Sequence, residues 1–134
     1  MRSPIVSERT YVLDASALLA VMLDEVGADA VHATLAAARI GAVNLSEVVA
    51  KLQERDVPDD MIDQSLADLA LPVVPFDRDQ AVRAGKLRQT TRSAGLSLGD
   101  RACLALAASV NATAITTDRA WARVVTEISI EIAR

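Results

Sequence analysis

The stretch Thr10–Leu23, "TYVLDASALLAVML", decides how this chain is read. "TYVLD" has the β-branched and aromatic content of a short buried strand. "ASALLAVML" reads as a helix, and a lone carboxylate, Asp14, stands where the two meet. A charge between two apolar runs either caps the helix or holds a cation.

Working outward, the same alternation recurs. Gly27–Arg39 reads as a second helix, "IGAVNL" (40–45) as a second strand, and "SEVVAKLQER" as a helix broken at Val57-Pro58. "DDMIDQSLADLA" is helical, with Met61, Ile62, Leu66 and Leu69 near one face. "LPVVPF" is a third strand, whose two prolines suit a sheet edge. A long helix is predicted from Arg78 to about Ser93, and an apolar one over "SLGDRACLALAASV". "ATAITT" is a fourth strand, "DRAWARV" a short helix, and "ISIEIA" an alternating fifth strand at an edge. Strands alternating with helices imply right-handed crossovers. The fold class is therefore α/β: one domain over residues 1–134, with helices on both faces of a mostly parallel sheet of four to five strands.

The totals agree with one domain: 134 residues, 51% hydrophobic, with an aliphatic core because Tyr11, Phe76 and Trp121 are the only aromatics. No apolar run reaches the roughly 18 residues that span a bilayer. Met1–Thr10 has no apolar h-region and is not a signal peptide. The single cysteine, Cys103, makes no internal disulfide and reads as a small core residue, which points to a cytoplasmic location. The net charge of −4 argues against a general phosphate binder. Yet Asp77–Gly95 sets Arg78, Arg83, Lys86, Arg88 and Arg92 against Asp77 and Asp79, a local +3 that leaves −7 on the rest.

Ligands of parallel sheets bind at the carboxyl ends of the strands. The first strand ends at Asp14, the second near Asn44 with Glu47 one turn on, and the fourth at Thr116-Thr117-Asp118. Asp100 opens the helix that leads into the fourth. Each acid has a plain structural explanation. Asp14 and Asp118 fit N-caps, and Asn44-x-x-Glu47 and Ser97-x-x-Asp100 fit capping boxes. A cap stabilises by about 1 kcal/mol. Two charges 4 Å apart repel by about 4 kcal/mol at an effective dielectric near 20. Four converging acids therefore call for a cation or for protons. Oxygen ligands suit Mg²⁺ or Mn²⁺, and His32 and Cys103, each alone, exclude a zinc cluster. Two such ions would cancel the formal charge of −4. Among the other polar residues, Ser16 reads equally as a helix-start serine or as a hydroxyl orienting a carboxylate, and Thr116 as a strand threonine. Asp77-x-x-Gln80 reads as a capping box, His32 as a surface residue, and Trp121 as packing a short helix onto the sheet.

"VLDASALLAVML", "AVNLSEVVAKL", "LSLGDRACLALA" and "ATAITTDRAW", in that order, resemble the PIN-domain nucleases and specifically the VapC-like toxins of toxin–antitoxin pairs. The likeness runs from Tyr11 to Val125. It implies a compact α/β/α domain with the family's acidic quartet on Asp14, Glu47, Asp100 and Asp118 and its supporting hydroxyls on Ser16 and Thr116. It also implies Mg²⁺- or Mn²⁺-dependent cleavage of RNA, a homodimer, and inhibition by a cognate VapB-like antitoxin. The ten residues "MRSPIVSERT" before the first strand depart from the family pattern and read as an N-terminal extension or a different start codon.

Within that reading Asp14, Asp100 and Asp118 are metal ligands, and Glu47 is a ligand directly or through water. Arg83, Lys86, Arg88 and Arg92 are candidates for RNA phosphates. The rival is a non-catalytic PIN-like binding module whose acids are caps. A phosphotransfer receiver would want a lysine at a late strand end, whereas Lys51 and Lys86 fall on helices. A dinucleotide domain would want G-x-G-x-x-G, which is absent.

Overall fold

In the computed structural model, which describes residues 9–134, the order of elements follows the alternation of apolar runs. Strand β1 (Tyr11–Leu13) feeds α1 (Ala15–Leu23) and α2 (Ala28–His32). Strand β2 (Ala38–Gly41) feeds α3 (Ala42–Glu54) and α4 (Asp59–Leu69). Strand β3 (Val73–Val74) is followed by α5 (Arg78–Lys86), α6 (Arg88–Thr91) and α7 (Leu98–Ser109). Strand β4 (Thr113–Thr116), a 3-10 turn (Arg119–Arg123) and β5 (Ile130–Ile132) close the chain.

The five strands lie in the order β3-β2-β1-β4-β5, every pairing parallel. The expected edge positions of the third and fifth strands are both found. In register, Leu13 sits between Ile40 and Ile115. Because side chains alternate along a strand, Leu13, Ile40 and Ile115 face one buried cluster. There they meet Ala17 and Leu18 of α1, Val31 of α2, Val48 and Leu52 of α3, and Ile62 of α4. Val12 and Ala114 face the other cluster, with Cys103, Leu104 and Leu106 of α7 and Trp121. These two cores make the α/β/α layers, and α5 packs on α7.

Three boundaries differ from expectation. The helix predicted over Gly27–Arg39 stops at His32, passes through a 3-10 turn (Leu35–Ala37) and becomes β2 at Ala38. The hydroxyl of buried Thr34 donates to Val31 O (2.7 Å), and pairing of Ala38–Ile40 with Tyr11–Leu13 overrides the helical preference of the alanines. The second strand consequently ends at Gly41, and "AVNL" is helical. The capping box expected at Asn44-x-x-Glu47 does not form: Gly41 is the N-cap, and Asn44 lies inside α3, buried and turned toward α7. The long helix from Arg78 is interrupted at Leu87, whose carbonyl accepts from the hydroxyls of Thr90 and Thr91.

Asp77 does cap α5, while Gln80 turns to Pro75 O instead of completing the box. His32 is exposed, and Cys103 and Trp121 are core residues, as expected. No helix among the described residues is long and apolar enough to cross a membrane. Apart from Arg9 and Thr10, the readings made on Met1–Thr10 lie outside the described residues.

Candidate active site

Asp14 leaves β1 and caps α1, its Oδ1 accepting from Ala17 N (2.8 Å). That much is the ordinary cap. The rest is not. Ser16 Oγ donates to both carboxylate oxygens (2.8 and 3.0 Å), and Thr116 Oγ1, at the end of neighbouring β4, donates to Oδ2. Each hydroxyl is held as a donor by a main-chain N–H behind it. Thr117 N donates to Ser16 Oγ, and Asp118 N to Thr116 Oγ1, both at 3.0 Å. Thr116 therefore serves Asp14 with its proton and the Asp118 backbone with its lone pair.

Asp14 is only 2% exposed. Burial pushes its carboxyl up to about 6, outweighing the bonds from Thr116, Ala17 and Ser16 that favour ionisation, and the charge of Asp100 adds to the rise.

Asp100 sits in the first turn of α7, where Ser97 and Asp100 form the expected reciprocal capping box (3.2 and 2.9 Å). Burial raises its carboxyl, and Asp118 raises it further. Glu47, one turn into α3, is half-buried; burial raises it too, against a bond from Asn44, with Asp100 adding to the rise. Asp118 is exposed, and its Oδ1 accepts from Ala120 N (2.9 Å) at the start of the 3-10 turn. Asp100 thus acts electrostatically on Asp14 and Glu47 and is itself acted on by Asp118. Beneath them the buried thiol of Cys103 is pushed up by burial first, then by Asp14, Asp100 and Glu47.

The four acids therefore share one field without touching. Among the described residues, no three carboxylates, imidazoles or thiols stand close enough together to form a ready metal cage. The convergence within a few ångströms expected from the sequence is looser than that. Each acid is tethered by its own donors: Asp14 by the hydroxyls, Glu47 by Asn44, Asp100 by Ser97, and Asp118 by Ala120.

Two further residues belong to this place. Asn44, 1% exposed, donates through Nδ2 to Glu47 Oε1 and to Gly99 O, each at 3.0 Å. Gly99 lies directly against the Glu47 carboxylate, where a side chain would overlap it. The sequence signal for the pair was a glycine inside a helical pattern immediately before an acid, since such a glycine usually has a packing reason. Of the basic residues, Arg83, Lys86, Arg88 and Arg92 are exposed, and Arg83 also pairs with Asp79 (3.1 Å).

Known proteins agree with this architecture. The family model for the PIN domain matches residues 11–127. The chain belongs to the PIN domain family. No curated protein matches it in sequence. Among solved structures it resembles a DNA-bound VapBC from Salmonella typhimurium, with a TM-score of 0.72 and 16% identity over 95% of this chain and 100% of that one. It also resembles VapBC2 of Rickettsia felis bound to a promoter fragment (0.69, 18%, 91% and 97%). VapBC-5 of Mycobacterium tuberculosis, a member of the VapBC toxin–antitoxin family, has a TM-score of 0.60 and 25% identity over 95% of this chain and 99% of that one. This PIN domain is thus similar in fold to chains of toxin–antitoxin complexes along nearly its whole length.

Proposed function

We propose that this PIN domain is the toxin of a toxin–antitoxin pair and a divalent-metal-dependent ribonuclease, with Asp14, Asp100 and Asp118 as metal ligands and Glu47 as a ligand directly or through water. The observation that carries this reading is the state of Asp14. A shift from 3.8 to about 6 corresponds to about 3 kcal/mol against the charged form. A helix cap returns only about 1 kcal/mol. A residue needed merely as a cap would do better exposed, as Asp77 is. A buried carboxylate ringed by aligned donors, in the field of a second acid, fits a cation far better than it fits water. An all-oxygen donor set of this kind suits Mg²⁺ or Mn²⁺.

When bound, such an ion supplies a nucleophilic water at neutral pH and offsets charge developing on a phosphate. The protein's own part is positional. Ser16 and Thr116 fix the plane of the Asp14 carboxylate, the capping box fixes Asp100, and Glu47 faces Asp100 from α3. The exposed Arg83, Lys86, Arg88 and Arg92 supply charge for flanking phosphates. Hydrolysis by water leaves a 5′-phosphate and a 3′-hydroxyl. Base stacking needs exposed aromatics, but Trp121 is buried and Tyr11 and Phe76 are half-buried. Folded RNA, read through shape and phosphates, is the substrate that fits.

The VapBC relatives support a cognate antitoxin as partner, and a homodimer as the working unit is part of the same proposal. Incubating total RNA with the protein, with and without Mg²⁺, and mapping the ends tests the activity. Cleavage is expected only with metal and with 5′-phosphate ends. Unchanged cleavage in a chelator, or 2′,3′-cyclic phosphate ends, would exclude the mechanism. If Asp14→Asn cut RNA as well as the wild type, the non-catalytic reading with acids as caps would stand.

A further inference from the structure

Asn44 is a buried polar side chain beside the four acids. Its amide is buried in the core side of α3, ten residues before that helix ends. Both neighbours of its Nδ2, Glu47 Oε1 and Gly99 O, are acceptors, so the amide is fixed with its NH₂ toward them. Its Oδ1 is buried with no hydrogen-bond partner among the described residues. Burying an unpartnered carbonyl is unfavourable, and an apolar side chain of the same size would avoid it. The amide is therefore poorly explained by stability. What it does is join the Glu47 carboxylate on α3 to the turn of α7 that carries Asp100.

Gly99 completes the arrangement from the other side. It lies in the first turn of α7, where alanine would favour the helix more. A Cβ there would overlap both Glu47 oxygens, which are the far end of a flexible side chain. Substitution would therefore displace Glu47 at little cost to the fold.

Resting on the metal-site reading above, we infer that Asn44 and Gly99 form a seat for Glu47, an amide hook and a side-chain-free notch that set where its carboxylate stands relative to Asp100. Both are positioning residues acting through Glu47. Residues behind metal ligands typically change metal affinity ten- to a hundredfold. Folding should respond with the opposite sign, since either substitution removes an unfavourable feature of the fold, and that contrast separates positioning from a structural role.

The test measures Mn²⁺ affinity by calorimetry, and thermal midpoints without metal, on the full chain. Gly99→Ala and Asn44→Leu are each expected to melt at or above the wild-type temperature while the Mn²⁺ dissociation constant rises about ten- to a hundredfold. Glu47→Gln should weaken binding similarly, and adding Gly99→Ala to it should weaken binding no further. The inference is overturned if both variants bind Mn²⁺ as the wild type does, if the double variant loses affinity additively, or if both variants unfold without metal. A wild type that binds no Mn²⁺ removes the metal site and the seat together. A wild type that binds, beside unaffected Gly99→Ala and Asn44→Leu, removes only the seat.

Discussion

Asp14 and Asp118 leave the carboxyl ends of adjacent parallel strands, and each caps the helical turn that follows it, yet their surroundings differ. Asp14 is enclosed, with the Ala17 N–H and two hydroxyls directed at it and Asp100 raising its proton affinity. Asp118 is exposed and accepts one main-chain bond. The same local motif thus yields a carboxylate fixed by several donors in one case and a solvent-facing one held by a single main-chain bond in the other. The difference comes from Ser16 and Thr116, which close over the first acid and leave the second to solvent. In the proposed site Asp14 is the fixed anchor and Asp118 the arm that reaches a bound ion.

The largest expected effect tests the anchor. Asp14→Asn should reduce Mg²⁺-dependent RNA cleavage by about 10³-fold, the scale seen when a group acting on the reacting centre is removed. Measured as single-turnover cleavage, a loss below about tenfold would mean that Asp14 is only a cap.

The next effect concerns stability in the absence of metal. The folded pKa of Asp14 lies above its unfolded value of 3.8, so the unfolded chain releases the proton first as pH rises. The folded state is therefore unpenalised below pH ~4 and loses up to about 3 kcal/mol by pH ~7. Asp14→Asn has no proton to release. Urea unfolding should find the two proteins similar near pH 4 and the variant more stable near pH 7. A pH-independent difference between them would show that Asp14 is not strained by burial.

Asp118→Asn sharpens the contrast. An arm that engages an ion loosely should cost about ten- to a hundredfold in cleavage, with a metal-free melting temperature close to wild type. If it cost as much as Asp14→Asn, the distinction between anchor and arm would collapse. The smallest effect belongs to the cap on α7: Ser97→Ala should destabilise by about 1 kcal/mol in chemical denaturation, as a lost N-cap does.

The sequence revealed the places where strand turns directly into helix. "TYVLDAS" and "AITTD" each end a buried run at a carboxylate, and both acids stand at the expected strand ends. "LSLGD" carried its capping box openly, because that box closes within four residues. Long-range pairing was less legible. "AAARIG" has helical composition and becomes a strand only because β1 is there to pair with it. Asn44 shows the same limit at the site. Asn-x-x-Glu satisfies a local pattern perfectly well, and nothing within four residues tells that the amide bonds to Gly99, 55 positions away. Likewise the donor role of Thr116 toward Asp14 spans 102 positions and needed the sheet order to be known.

Cys103 is the chain's one thiol; it is fully buried, and its ionisation is suppressed by that burial first and then by the nearby acids. A thiol reagent added to the native protein can reach it only while that side of the core is open. Its labelling rate is therefore a built-in clock for the breathing of the layer under the acids. Any ion that ties those acids together should slow it, with no foreign probe attached.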